Sequence, residues 1–317
     1  MSYRVRIGGT EFLFSGMPLV ESGARDALYA PFSGPFPRPA QSHIRIHLQE
    51  AVIPLCSDAK LMFDTDGGWR VWRCQPGTVS ARGAVSARGA VSEWGYVFEM
   101  PGQDGPLWRI GIDDEFQNAE IGAGVAALGG TQTEGMPVDL IRYPLDQILT
   151  VHHGATRGAL LVHAVGLVAN GAGLLLAGVS GAGKSTVAGL LNGDDAFEVL
   201  SDDRLIVRRG DDGRFYLHGS PWSGEARVAS CNAAPLRAIC LLRQAQETAA
   251  QPIAAQAALP EFLRVTSIPW YHRELAQAAL TGCGAVLDAV CCFDLHFTRS
   301  TGRLRHALYG LLEELRD

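Results

Sequence analysis

The stretch "LLVHAVGLVANGAGLLLAGVSGAGKST", residues 160–186, contains two apolar runs, a short turn and a glycine-rich loop that ends in Lys184-Ser185. Asn170-Gly171 between two apolar runs is typical of a hairpin, so we predict that the strand before the loop has an antiparallel neighbour. Residues 178–185 match G-x-x-x-x-G-K-[ST], a pattern that is meaningful between a strand and a helix. The stretch therefore predicts a phosphate-binding loop in an α/β domain with a mixed sheet.

Such a loop offers three kinds of group to a polyphosphate. Backbone N–H groups of the loop and of the helix N-terminus face phosphate oxygens, Lys184 reaches the β and γ phosphates, and Ser185 is a ligand for Mg²⁺. ATP and Mg²⁺ are therefore the predicted cofactors. The predicted nucleotide-binding residues are Gly178, Val179, Ser180, Gly181, Ala182, Gly183, Lys184, Ser185 and Thr186.

The second signal is a pair of adjacent carboxylates in "LSDDRL", residues 200–205, which lies 18 and 19 residues beyond Lys184. Phosphoryl transfer to a hydroxyl uses one carboxylate in the metal shell and one that accepts the proton of the nucleophile. Asp202 and Asp203 can divide these tasks, and the two could exchange roles. The alternative is that both only cap a turn, as Asp often does.

The rest of the chain predicts two domains. Before residue 143, short apolar runs alternate with Gly, Pro and Asp, and "IRIHL" at residues 44–48 has the period of two that half-buried strands require. A chain of 317 residues is longer than one hydrophobic core usually supports. We predict a β-rich N-terminal domain over residues 1–142 and an α/β catalytic domain over residues 143–317.

Composition limits the partners. The net charge of -6 argues against nucleic acid or an anionic membrane surface. Residues 158–179 carry no formal charge, but five glycines and an Asn-Gly pair make a membrane helix a poor interpretation. The N-terminus lacks the apolar region of a signal peptide, and seven scattered cysteines without a CxxC pair are typical of thiols in a reducing cytosol. We therefore predict a cytoplasmic protein without nucleic-acid or membrane partners.

Residues 145–225, with the phosphate loop and "LSDDRL", resemble the catalytic domain of HPr kinase/phosphorylase, a family of serine kinases related in fold to ATP-dependent phosphoenolpyruvate carboxykinase. In that family a His precedes the loop by about fifteen residues, and His163 stands at that spacing from Gly178. The resemblance implies Asp202 near the metal with Ser185, Asp203 as the base that takes the serine proton, and His163 as a neighbour of the phosphates. A structural His at a strand end is the alternative for His163.

One signature of that family has no clear counterpart. A Glu-x-Arg-Gly stretch would be sought near "HGSPWSGEAR", residues 218–227, where Glu225 and Arg227 are candidates but "GSPW" is typical of a turn that packs Trp222. The chain more closely resembles the broader HPr kinase-like group, which includes kinases of lasso-peptide precursors. This resemblance implies a serine acceptor in a peptide or protein, such as a ribosomal peptide precursor, and is compatible with a homo-oligomer.

Two other functions stay open from the sequence. One is a nucleotide-sensing binding module without kinase activity, in which the β-rich domain binds a partner. The other is a kinase of a small-molecule alcohol, although no long Arg-rich lid segment follows the Asp pair.

Overall fold

The computed structural model describes residues 3–20, 26–36, 39–49, 51–66, 68–75, 94–103, 105–123, 136–137, 139 and 141–315. Its contacts divide the chain into two compact units. The first unit consists mainly of residues 10–26 and 35–149. The second consists mainly of residues 150–317 and also includes the short segments 7–9 and 27–34. The fold is of mixed α/β class, with a large mixed sheet in each unit. The predicted domain boundary after residue 142 stays a prediction.

The first unit is built on an eight-stranded mixed sheet with the order β1-β2-β4-β9-β8-β7-β6-β5. The pairs β2–β4 and β4–β9 are parallel, and the pairs from β9 to β5 are antiparallel. A short parallel pair joins β3 and β10. The strands are β1 (Arg4–Ile7), β2 (Thr10–Gly16), β3 (Leu19–Val20), β4 (Ser42–Gln49), β5 (Lys60–Asp64), β6 (Arg70–Arg73), β7 (Tyr96–Gly102), β8 (Gly105–Ile112), β9 (Asn118–Ala123) and β10 (Met136–Pro137), with helix α1 (Asp26–Tyr29) and a 3-10 turn (Ala30–Phe32) after β3.

Strand β4 shows why these segments form a sheet. Ile44, Ile46 and Leu48 are buried, whereas Arg45 between them is exposed, so the period-two pattern of the sequence places one face in the core. The prediction of a half-buried strand at residues 44–48 is confirmed.

The cysteine prediction is wrong for one pair. Cys56 and Cys74 form a disulfide with Cα atoms 6.3 Å apart, next to the buried Val97. The two cysteines flank the antiparallel hairpin of β5 and β6, in which Lys60 lies opposite Arg73, so the hairpin brings its two ends together. Because disulfides persist mainly in oxidising compartments, this pair removes one argument for the cytoplasmic location, which stays a prediction.

The second unit contains a further eight-stranded mixed sheet and four of the longer helices. Helix α2 (Leu145–Ala155) precedes it along the chain. The remaining elements are β11 (Ala159–Ala169), β12 (Ala172–Ala177), α3 (Lys184–Leu191), β13 (Glu198–Ser201), β14 (Arg204–Arg209), β15 (Phe215–His218), β16 (Ala233–Gln244), β17 (Ala249–Ile253), α4 (Ala255–Val265), α5 (Arg273–Ala289), β18 (Cys291–Phe297) and α6 (Thr301–Glu314).

The hairpin predicted at Asn170-Gly171 is confirmed. Both residues have positive φ angles, and β11 and β12 pair in an antiparallel register from Ala169–Ala172 to Ala164–Ala177. On its other side β12 pairs in parallel with β16. The pairings β12-β11-β14-β15-β16 and back to β12 therefore close into a ring, which gives the strand before the glycine-rich loop a neighbour on each side.

Helices cover both faces of this sheet. On one face α3 and α6 pack against a core that includes Leu174, Leu176 and Phe297. On the other face α4 and α5 pack against a core that includes Leu175, Ile239 and Phe262. The alternation of Leu174, Leu175 and Leu176 between the two cores explains why β12 is apolar throughout.

Candidate functional site

The glycine-rich loop connects the end of β12 to the start of α3, as the sequence pattern predicts. Gly183 is the residue before α3 and has a φ of 104°, in the left-handed region. A Cβ atom at this position would lie 2.4 Å from Cζ of Phe297, so both the conformation and the packing require glycine. The side-chain amide of Gln244 donates a hydrogen bond of 2.7 Å to the Gly181 carbonyl and thereby ties the loop to β16.

Lys184 lies under this loop and is only 8% exposed. Its Nζ atom donates to the carbonyl oxygens of Gly178 at 2.7 Å and Val179 at 3.3 Å. Burial lowers the pKa of Lys184, with the charge of Asp203 opposing the change and that of Arg204 adding to it. The ammonium is therefore held at the loop and senses the charge of Asp203.

Strand β11 brings the loop, His163 and the Asp pair together. Ala164 of β11 lies opposite Ala177, the last residue of β12 before the loop. The Ala164 N–H donates to the carbonyl of Asp203 at 3.1 Å. The Asp pair separates β13 from β14, and both strands pair with β11, so the two carboxylates follow the point where one strand ends and the next begins.

Asp203 forms the main polar contact of this region. Nε2 of His163 lies 2.9 Å from Oδ1 of Asp203, and Nε of Arg204 lies 3.7 Å from Oδ2. Burial alone would raise the pKa of Asp203, but the hydrogen bond from His163 and the charges of Arg204, His163 and Lys184 outweigh it and hold that pKa below its ordinary value. Asp203 is thus an ionised, partly exposed carboxylate at neutral pH.

Asp202 has a different environment and is 3% exposed. Its Oδ1 accepts from the Gly224 N–H at 2.8 Å, and its Oδ2 accepts from the Ala226 N–H at 2.7 Å. Asp202 therefore fixes the segment that follows β15 over the Asp pair. Each carboxylate oxygen has a second lone pair. A metal bound to Asp202 would therefore use the lone pairs that do not accept from the two amides. The roles assigned to Asp202 stay predictions.

The segment of residues 218–227 packs largely as its turn signal indicates. Trp222 is 5% exposed, and its carbonyl accepts from the hydroxyl of Ser201 at 3.1 Å. Glu225 and Arg227 are exposed, and their side chains form no hydrogen bond or ion pair with any described residue. Sequence reasoning missed that the amides of Gly224 and Ala226 hold Asp202, and it missed Gln244. No local sequence pattern predicts these contacts, because each joins residues more than 20 positions apart.

The two groups predicted to hold metal differ in exposure. Ser185 is exposed in the first turn of α3, whereas Asp202 is buried. Among the described residues, no group of three or more His, Cys, Asp or Glu side chains is arranged to hold a metal ion. In the same part of the chain, no helix has the length and apolar character needed to cross a membrane.

Comparison with known proteins gives a partial match. The family model of ScmC, a SynChlorMet cassette protein, matches residues 136–279, which is less than half of the chain. A solved structure of the Hpr(Ser) kinase/phosphatase from Coxiella burnetii is similar at 10% identity over 50% of this chain and 98% of that chain, with a TM-score of 0.23. No match is found among curated proteins. At this TM-score the structural similarity does not bear on the function of this chain.

Proposed function

We propose that the second unit is an ATP- and Mg²⁺-dependent kinase that transfers the γ-phosphate to a hydroxyl, with a peptide or protein serine as the acceptor. The observation that supports it is the juxtaposition of Lys184 in a glycine-rich loop with an ionised Asp203 that accepts a hydrogen bond from His163. Phosphate-binding and proton-accepting groups in one place are what phosphoryl transfer requires. The serine acceptor rests on the resemblance of the motifs alone.

Lys184 acts first in this proposal. Its ammonium exchanges the carbonyls of Gly178 and Val179 for the β and γ phosphate oxygens, while the loop N–H groups hold the remaining charge. The predicted loop residues Gly178, Val179, Ser180, Gly181, Ala182, Gly183, Ser185 and Thr186 would surround the phosphates. Burial of Lys184 strengthens its attraction to the phosphates, because less water screens the charge.

Asp203 then receives the proton of the acceptor hydroxyl. The acceptor O–H bond breaks, its oxygen forms a bond to the γ-phosphorus, and ADP leaves with the electron pair of the broken phosphoanhydride bond. A pKa below the ordinary value keeps Asp203 in the form that accepts a proton. His163 orients the carboxylate through its 2.9 Å contact, which makes it a positioning residue.

The donor set of this region fits a magnesium ion carried with the nucleotide. The hydroxyl of Ser185 is exposed beside the loop, and carboxylate oxygens are hard ligands that magnesium prefers. When bound, magnesium neutralises the charge that develops on the phosphate oxygens. Ser185 and Asp202 are the residues proposed to hold it.

The test is transfer of label from γ-labelled ATP to serine-containing peptides, with ATP affinity measured separately. We expect label on a serine hydroxyl, loss of transfer in Asp203→Asn, and ATP affinity within a few-fold of the unmodified protein in that variant. Asp211→Asn, which removes an exposed carboxylate from the turn after β14, is the matched control and should transfer normally.

Other outcomes would replace the proposal. ATP binding without transfer to any peptide or alcohol would identify a nucleotide-sensing module. Label on a small alcohol and on no peptide would identify a small-molecule kinase. Normal transfer by Asp203→Asn would remove the proton-accepting role from Asp203.

A further inference from the structure

The first unit carries a cavity that the proposed kinase chemistry does not use. It has a volume of about 430 Å³ and lies on the face of the sheet formed by β2, β4 and β9. This volume falls in the range of small-molecule sites, roughly 300–1,000 Å³. Its lining includes Trp94 and the polar residues Ser15, Arg45, His47, Asn118 and Glu120.

Strand register places these side chains in two rows. Ser15, His47 and Glu120 lie opposite one another on β2, β4 and β9. Arg45 and Asn118 form the next row, two residues earlier on the same strands. Because side chains two residues apart point to the same face of a sheet, both rows face the cavity. The hydroxyl of Ser15 lies 3.5 Å from Nδ1 of His47, so the rows are also in side-chain contact.

Trp94 has a fixed position beside these two rows of side chains. Gly111 of β8 lies opposite Glu120 on β9, and the indole of Trp94 packs directly on Gly111. A Cβ atom at residue 111 would lie 2.4 Å from Cδ1 of the indole, so only glycine leaves room for the ring there. An aromatic face therefore borders the cavity beside the carboxylate of Glu120.

Two side chains of opposite charge line the cavity. Glu120 is 5% exposed, and Arg45 is its diagonal neighbour on the adjacent strand. The Arg45 guanidinium forms no hydrogen bond or ion pair with any described residue. A cation that lines a cavity without a protein partner, next to a carboxylate and an aromatic face, is suited to a ligand with both signs of charge.

We propose that this cavity binds a zwitterionic α-amino acid with an apolar side chain. Its α-carboxylate meets Arg45, its α-ammonium meets Glu120, and its side chain packs on Trp94. Both charged groups sit on one carbon, which matches two oppositely charged side chains on neighbouring strands. This inference does not depend on the proposed kinase function.

The test is calorimetric binding of L-phenylalanine to the full chain, compared with L-phenylalaninamide, which lacks the carboxylate, and N-acetyl-L-phenylalanine, which lacks the ammonium. We expect the zwitterion to bind, and each derivative to bind about tenfold more weakly, the equivalent of one charge-assisted hydrogen bond. Arg45→Gln should weaken binding of the zwitterion about tenfold but leave binding of the amide unchanged, because the amide has no carboxylate to lose.

Arg4→Gln is the matched control, because Arg4 is a largely exposed arginine of the same sheet outside the cavity, and it should bind as the unmodified protein does. Trp94→Leu should weaken all three ligands alike, and a thermal melt of each variant checks that the unit is folded. Equal binding of the zwitterion and its derivatives would overturn the proposal. So would absence of binding to the unmodified protein, or an equal effect of Arg45→Gln on zwitterion and amide.

Discussion

The two units place their polar groups differently on similar eight-stranded mixed sheets. In the second unit most of the candidate groups lie at strand ends, in the loop after β12 and in the Asp pair after β13, and His163 lies within β11. In the first unit they lie along one face of three neighbouring strands, and the cavity exists only because these strands align in register. Groups at strand ends can be changed with little effect on the sheet, whereas groups on a strand face share their position with the pairing that holds the unit together.

The largest expected effect is that of Lys184→Ala. Loss of the ammonium removes charge-assisted bonds to the phosphates, so we expect ATP affinity and transfer to fall roughly 100-fold or more. Isothermal titration with ATP measures the first and the labelled-transfer assay the second. Lys60→Ala removes the only other lysine of the chain and is the control. If Lys184→Ala unfolds the second unit, the contrast between the two units is wrong, because a group at a strand end would then be needed for folding.

The next effect concerns the pH dependence of transfer. The hydrogen bond from His163 favours the charged form of Asp203, so His163→Phe should raise the pKa of Asp203. The acidic limb of the rate profile then moves to higher pH, and the rate near neutrality falls roughly tenfold because the carboxylate is no longer oriented. His306→Phe changes an exposed histidine of α6 and should leave the profile in place. An unmoved limb in His163→Phe would mean that another group titrates.

Asp202→Asn sharpens the comparison, because Asp202 stands at a strand end but binds two backbone amides. An asparagine turns an N–H group toward one of them, so we expect the free energy of unfolding to fall by about 1–3 kcal/mol. Urea unfolding monitored by circular dichroism gives the value. Asp203→Asn makes the same change one residue later, without such amide contacts, and should cost less. Equal losses would show that the two neighbours do not differ structurally.

The smallest effect is expected for Gln244→Ala. One hydrogen bond to the loop is lost, worth about 0.5–1.5 kcal/mol, so the KM for ATP should rise a few-fold with kcat nearly unchanged. Gln251→Ala on β17 removes an exposed glutamine away from the loop and serves as the control. A large fall in kcat would instead assign Gln244 a part in the reaction.

The same comparison explains what could be predicted from the sequence. The loop, the hairpin at Asn170-Gly171 and the half-buried strand at residues 44–48 follow from contiguous patterns, because each depends on the order of neighbouring residues. The cavity of the first unit follows from register between β2, β4 and β9, which no local pattern encodes. The Cys56–Cys74 disulfide could not be predicted from the cysteine spacing, because it depends on the hairpin that brings the two residues together.

The environments of Asp202 and Asp203 also required the structure. The sequence offers two identical side chains, and only their surroundings separate them: amides of residues 224 and 226 surround one, and His163 and Arg204 surround the other. Apart from the contact of Arg204, these contacts join segments more than 20 residues apart. Tertiary packing therefore decides which carboxylate stays accessible.

The ring of strands has a consequence for hydrogen exchange. Because β12 is paired with β11 on one side and β16 on the other, and Leu174–Leu176 are fully buried, its amide protons exchange only when the sheet itself opens. The amides of the adjoining loop exchange through local motion. If a nucleotide slows the exchange of the loop amides, that change can be measured against the slow exchange of the β12 amides. The strand thus provides an internal reference within ten residues of the loop.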